Sequence, residues 1–191
     1  MKSGYTTIEK VRNGIKSGTL QLEERALVGV QFYEDFQEKM NRNEVEQISA
    51  IVKKAVLSLL PDAQVSTMGS FRRGKEQCGD VDILITHTKY VKNAPFGAVD
   101  VLVETLRENG HISHHLTSVN STKTDFRVID ATDSLLVNHT KKSGSYMGVF
   151  VSPLQHKKHR RIDIKFYPFR EKAFATLYFT GNGYFNRVSN T

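Results

Sequence analysis

Residues 79–87 read GDVDILITH, which sets Asp80 and Asp82 one residue apart at the head of an apolar, β-branched run. Side chains alternate across a strand, so these two carboxylates point to the same face. Two ionised carboxylates held that close repel unless a cation lies between them. Oxygen ligands with no Cys or His among them favour magnesium, with manganese as a substitute. A bare D-x-D is also what a strand emerging into solvent carries. A third acidic residue weighs against that plainer reading. Asp163 lies in RRIDIKF, again a carboxylate among apolar neighbours in a strand-like run. On an adjacent strand it would face Asp80 and Asp82. Three converging carboxylates can hold two divalent ions about 3.5–4 Å apart, the arrangement for in-line phosphoryl transfer. One ion lowers the pKa of an attacking hydroxyl, and the other clamps a triphosphate and stabilises the leaving group.

The residues just upstream suit a phosphate ligand. In GSFRRGK, residues 69–75, Ser70 and the amides around Gly69 can donate to phosphate oxygens. A helix starting near Phe71 would turn its N-terminus to the anion. Arg72 and Arg73 can add charge-assisted contacts. An arginine pair by itself is also a common solvated surface feature. Gly79 lets the backbone approach a ligand closely before the acidic pair.

These groups need elements to hold them. Residues 1–60 read as helical. TTIEKVRN and TLQLEERALVGVQFYEDF carry apolar residues near helical spacing, with Thr19 as an expected N-cap. The clearest helix lies in NRNEVEQISAIVKKAVLSLLP, where Val45, Ile48, Val52, Ala55, Val56 and Leu59 form one stripe. Asn41 and Glu44 there resemble a capping box, and Pro61 marks the stop. Beyond Pro61 the texture changes to AQVSTMGS and DVDILITH as strands, then FGAVDVLVETLRENG as an amphipathic helix with Gly110 just past its end. SYMGVFVSPL and RRIDIKFYPF read as two further strands joined by a basic run, QHKKH. REKAFATLYFTGNG reads as a last helix. The expected fold is α+β: a small helical part over 1–60, then a sheet with flanking helices over 61–191.

The bulk properties bound the rest. The chain has 191 residues, 39% hydrophobic and 25% charged, with a formal net charge of +7. That balance favours a polyanionic partner. No apolar run reaches the ~18 residues a transmembrane helix needs, so no membrane partner is expected. The N-terminus has no apolar signal core, and the single cysteine, Cys78, cannot form an internal disulfide. An intracellular protein is expected. His114 and His115 are expected to be solvated, His87 structural, and Cys78 a packing residue.

GSFRRGKEQCGDVDILITH, HRRIDIKFYP and LYFTGNGYFNR together resemble the family X DNA polymerases, of the beta and lambda type, within the nucleotidyltransferase superfamily. LPDAQVSTMGSFRRGK is similar to terminal transferase, and VGVQFYEDF resembles the segment entering the palm. The resemblance runs from about Gly4 to Asn186. It implies a beta-like palm with a mixed or antiparallel sheet, preceded by an incomplete fingers-like helical part. It implies that Asp80 and Asp82 bind both of two magnesium ions, and that Asp163 holds the catalytic ion and helps activate a primer 3′-hydroxyl. It assigns Ser70 and Arg73 to the triphosphate, with Gly79 lining the same site and Arg42 of MNRNE as a further triphosphate contact. Arg161 falls near the primer terminus. Tyr178 and Phe179 fall beside the incoming sugar, Gly181 in the turn that follows, and Asn186 in the minor groove, where asparagine checks geometry rather than sequence. An aromatic pair next to C2′ disfavours a 2′-hydroxyl, whereas terminal transferase carries Gly-Trp there.

The implied activity is DNA-directed DNA synthesis from deoxynucleoside triphosphates on gapped or primed DNA, in base excision repair and end joining in the nucleus. Two features depart from the pattern. Gly183 stands where the beta enzyme has an acidic residue, and the chain ends at Thr191, before the family's nucleotide-selecting thumb. The alternative expectation is therefore a truncated palm that binds nucleotide or DNA without efficient turnover. A nucleotidyltransferase acting on RNA or a small molecule is a third reading, which the YFTG wording opposes. HKKHRR reads as a hairpin loop facing DNA phosphate rather than a nuclear-localisation run.

Overall fold

The computed structural model describes residues 4–95, 97–117, 144–154 and 157–181. The front of the chain forms three short helices: α1 (Ile8–Lys16), α2 (Glu24–Gln31) and α3 (Tyr33–Gln37). Thr7 caps α1 by accepting from the Lys10 amide. The expected cap at Thr19 does not form. α2 starts four residues later than that cap requires, after Glu23, which makes no side-chain cap bond. The Thr19 hydroxyl is engaged instead by Tyr5, Ser17 and the Gly14 carbonyl.

A two-residue strand, β1 (Met40–Asn41), leads into the long helix α4 (Arg42–Leu59). Asn41 accepts from the Glu44 amide at 2.9 Å, as the expected cap requires. The Glu44 carboxylate does not return to complete the box; it is bound to Arg160. Beyond the stop before Pro61 come β2 (Gln64–Thr67), a single helical turn α5 (Gly69–Arg72), and β3 (Gln77–Cys78). β4 (Val81–Thr86), α6 (Ala98–Glu108) and β5 (Ile112–His115) follow. β6 (Gly144–Val151), β7 (His159–Phe166), a 3-10 turn at Phe169–Glu171 and α7 (Lys172–Thr180) complete the described chain. Gly110, at φ +74, is the left-handed residue just past α6, as expected.

The main sheet has the order β2-β4-β7-β6-β5. β4 and β7 are parallel, and the other neighbours are antiparallel. The sheet is therefore mixed, and the fold is α+β, as the sequence implies. α4 and α6 cover one face. Val45, Ile48, Val52 and Val56 of α4 pack with Ile83, Ile85, Ile162, Ile164, Leu102 and Phe150 in one core. α4 thus shares its core with the sheet, across the division expected at Pro61. On the opposite face α7 lays Ala175 and Phe179 against Leu84 and Met68. This second cluster is small, so much of that face of β4 and β7 is left for polar residues.

Candidate active site

Alternation along β4 and β7 sorts their residues by face. Ile83, Ile162 and Ile164 enter the core, while Asp82, Asp163 and Lys165 turn to the face that α7 covers only in part. The parallel register pairs Asp82 directly with Asp163. Asp80 lies one residue before the first ladder pair, Val81 with Ile162. All three carboxylates line one cleft of about 330 Å³ with Gly69, Ser70, Arg73, Lys165, Tyr178, Phe179 and Gly181.

The turn that carries Ser70 is pressed onto this acidic strand. The Met68 amide donates to the Asp82 carbonyl at 2.8 Å. Gly69 follows at φ +57, and a Cβ there would meet Asp82 Oδ2 at 1.7 Å. Only glycine fits both the backbone conformation and the contact. The expected helix near Phe71 is a single turn beginning at Gly69. Ser70 Oγ is buried and has no hydrogen-bond partner. Arg73 Nη1 donates to the Thr180 carbonyl at 2.6 Å and to that of Gly181 at 3.3 Å, joining the turn to the end of α7.

The electrostatics are those of a partly buried acidic trio that Arg73, Arg161 and Lys165 only partly offset. Asp82 is pushed up to about 7, first by desolvation and then by repulsion from Asp80 and Asp163. Asp163 is also raised, chiefly by burial, and Lys165 opposes the shift from 3.5 Å. Its Oδ1 is buried without a partner. Arg161 donates to Asp80 Oδ2 at 3.2 Å. As the side chains stand, no three acidic, His or Cys groups form a ready metal cluster among the described residues. Two of the three carboxylates are each turned to a basic side chain. The donor set nevertheless fits a hard divalent ion: it is all oxygen, one atom is orphaned, and burial makes bare charge costly.

The other expected residues are placed as follows. Tyr178 and Phe179 both line the cleft, and Phe179 is also a packing residue against Leu84. Arg161 borders the trio through Asp80. Gly79 is outside the cleft lining, with open space where a Cβ would stand. Arg42 is not in the cleft. Its guanidinium stacks on Phe71 at 3.9 Å and donates to the carbonyls of Phe71 and Lys75. Asn186 and Gly183 lie outside the described residues. Lys165 is a cleft residue that the sequence reading did not single out. Its signal was present in RIDIKF, since a residue two beyond Asp163 must share its face.

Two expectations outside the cleft are corrected. His114 and His115 are half-buried rather than freely solvated: His114 packs edge-on against Phe32, and His115 Nδ1 pairs with the Tyr146 hydroxyl at 3.0 Å. The basic run does lie in the β6–β7 hairpin, but its described residues from Lys158 to Arg160 turn to acidic groups of the protein. Lys158 pairs with Glu38, His159 stacks on Phe32 and donates its backbone N–H to Asp35 Oδ2 at 2.8 Å, and Arg160 is buried on Glu44. Acidic residues on and beside α3 and in α4 draw these side chains inward. His87 is structural as expected, with Nε2 2.9 Å from the Pro61 carbonyl, and Cys78 is fully buried.

A parallel strand pair carrying Asp80, Asp82 and Asp163 above a glycine-serine turn defines a nucleotidyltransferase palm. The family profile described as DNA polymerase beta palm matches residues 39–169. The chain is 32% identical over 184 residues to DNA polymerase lambda of Rattus norvegicus, covering 96% of this chain and 28% of that protein. It is 32% identical over 202 residues to DNA nucleotidylexotransferase of Eulemur macaco, covering 97% and 38%. DNA polymerase lambda of Arabidopsis thaliana is 28% identical over 186 residues, covering 97% and 31%. The chain belongs to the beta-like family X of DNA polymerases. It spans roughly three tenths to two fifths of the length of these relatives.

Proposed function

We propose that this chain transfers deoxynucleoside monophosphates from their triphosphates to a primer 3′-hydroxyl, filling short gaps in DNA during base excision repair and end joining in the nucleus. The register of Asp82 on Asp163, with Asp80 at the open end of the same strand pair, carries this reading. Asp80, Asp82 and Asp163 would hold two magnesium ions, or manganese in their place. When bound, such ions supply the charge that acidifies the attacking hydroxyl and steadies the leaving pyrophosphate.

The chain's own residues do the rest. The unpartnered Ser70 hydroxyl and the Arg73 guanidinium grip the triphosphate. Arg73 has donors beyond the Nη1 that holds the end of α7, so it can bind phosphate and keep that contact. Tyr178 and Phe179 orient the sugar and exclude a 2′-hydroxyl, Gly181 keeps the turn beside them, and Asn186 checks the new pair in the minor groove. Arg161 leaves Asp80 for the primer terminus. Lys165 gives up Asp163 when stronger cations arrive.

The test is single-nucleotide incorporation into gapped DNA, with Asp163→Ala alongside. Incorporation by the parent chain and none by the variant is expected; equal rates in both overturn the role of Asp163. A second reading, binding of nucleotide or DNA without turnover, is favoured by the pairing of Asp80 and Asp163 with Arg161 and Lys165. Saturable nucleotide binding with no extension product would establish it.

A further inference from the structure

Asp82 and Asp163 lie inside a hydrogen-bonded ladder, whereas Asp80 lies outside it. Val81 and the Met68 amide tie Asp80 and the Gly69–Arg73 turn to β4, and a second brace joins these parts to β7. The segment Met40–Glu44 touches all of these parts. Met40 and Asn41 pair with Cys78 and Gln77, immediately before Gly79 and Asp80. Arg42 holds the carbonyls of Phe71 and Lys75 on either side of Arg73. Glu44 is clasped by Arg160, three residues before Asp163 on β7.

That clasp is unusually complete. Arg160 is 3% exposed and Glu44 8%. Arg160 Nε meets Glu44 Oε1 at 2.7 Å and Nη2 meets Oε2 at 3.2 Å, a bidentate pair. Nη1 donates at 2.9 Å to the carbonyls of both Asp35 and Glu38. The side chain therefore joins β7 to the end of α3 and the first turn of α4 at once. Neither residue reaches the cleft.

We propose that Arg160 and Glu44 are positioning residues for the nucleotidyl-transfer site. They fix the Met40–Glu44 segment to β7 and so set the distance of Asp80 and the Ser70 turn from Asp163. This inference rests on the function proposed above. Removing one partner alone leaves a buried charge and risks unfolding. The decisive variant is therefore Glu44→Leu with Arg160→Met, which replaces the pair by apolar groups of similar volume. Manganese binding is measured by electron paramagnetic resonance and binding of a deoxynucleoside triphosphate with magnesium by calorimetry, each beside the thermal melting point. The expected result is a melting point like that of the parent and manganese affinity weaker by about ten-fold. A fall in melting point without a change in either affinity, or parent-like values throughout, overturns the proposal. Arg160→Lys keeps the charge but cannot span four acceptors, so it is expected to bind manganese more weakly than the parent; full rescue by lysine also overturns it. Absence of manganese and nucleotide binding in the parent chain overturns the transferase reading itself, and this proposal with it. Asp163→Asn, expected to lose manganese, separates that failure from a failure of the positioning role alone.

Discussion

Asp82 is strongly altered in its chemistry by its place in the fold. Its carboxyl is raised from 3.8 to about 7, so between those values the folded chain holds a proton that the unfolded chain has released. The stability it contributes is full below about pH 4 and is lost as pH rises through about 7. Without divalent ions, the melting point is expected to fall across that range, and Asp82→Asn should flatten the fall. A parallel decline in the variant would refute this assignment. Magnesium should raise the parent's melting point at pH 8 and leave Asp82→Asn nearly unmoved. If Asp163 holds the proposed ions, Asp163→Asn should reduce incorporation by about a thousand-fold, since several kcal/mol of transition-state stabilisation would depend on them. Gly69→Ala meets a 1.7 Å clash and a left-handed backbone together. It should destabilise the fold by about 1–3 kcal/mol in chemical denaturation and lose nucleotide affinity.

At the scale of elements, the helices divide the work. α4 is a structural beam: Val45, Ile48, Val52 and Val56 of its apolar stripe are in the core, and Ala55 and Leu59 pack against it. Ile48→Ala should cost about 2–4 kcal/mol of stability, measured by urea unfolding. Because Ile48 lies on the far face of the sheet, the folded variant should bind nucleotide like the parent; a large loss of affinity would contradict the separation of the two faces. α7 works on the site's own face. Phe179 anchors it against Leu84 and Met68, and the end of the helix is held by Arg73. Phe179→Ala is accordingly expected to lower stability and relax discrimination against ribonucleotides, read by comparing incorporation of the two sugars.

For the whole molecule, the relevant quantity is charge. A formal net charge of +7 favours association with a phosphate backbone over short distances. Affinity for gapped DNA should fall with salt, with a log–log slope steeper than about −2 if even a few phosphates are neutralised. A flat response would remove DNA backbone contact from the proposed function. Part of the basic sequence is not available for that contact, since Lys158, His159 and Arg160 are bound to acidic groups on or near α3 and α4.

What the sequence by itself determined is what depends on neighbouring residues. Alternation placed Asp80 with Asp82 and isolated Asp163 among apolar residues. Helical periodicity marked the α4 stripe, Asn41 marked its start, and Gly110 marked the end of α6. The motifs together sufficed for the family. The tertiary structure decided what depends on residues far apart in the chain. The parallel pairing of β4 with β7 fixes which carboxylate faces which, and strand register is set by non-local packing that local patterns do not encode. The same holds for the cations. HKKHRR reads as a surface run until α3 and α4 bring Asp35, Glu38 and Glu44 beside it. Lys165 gains its place only when β7 lies next to β4. Arg42, expected on a triphosphate by resemblance, is held by two carbonyls and an aromatic ring. A long side chain takes the partner that folding brings within reach, and only the assembled chain settles which one that is.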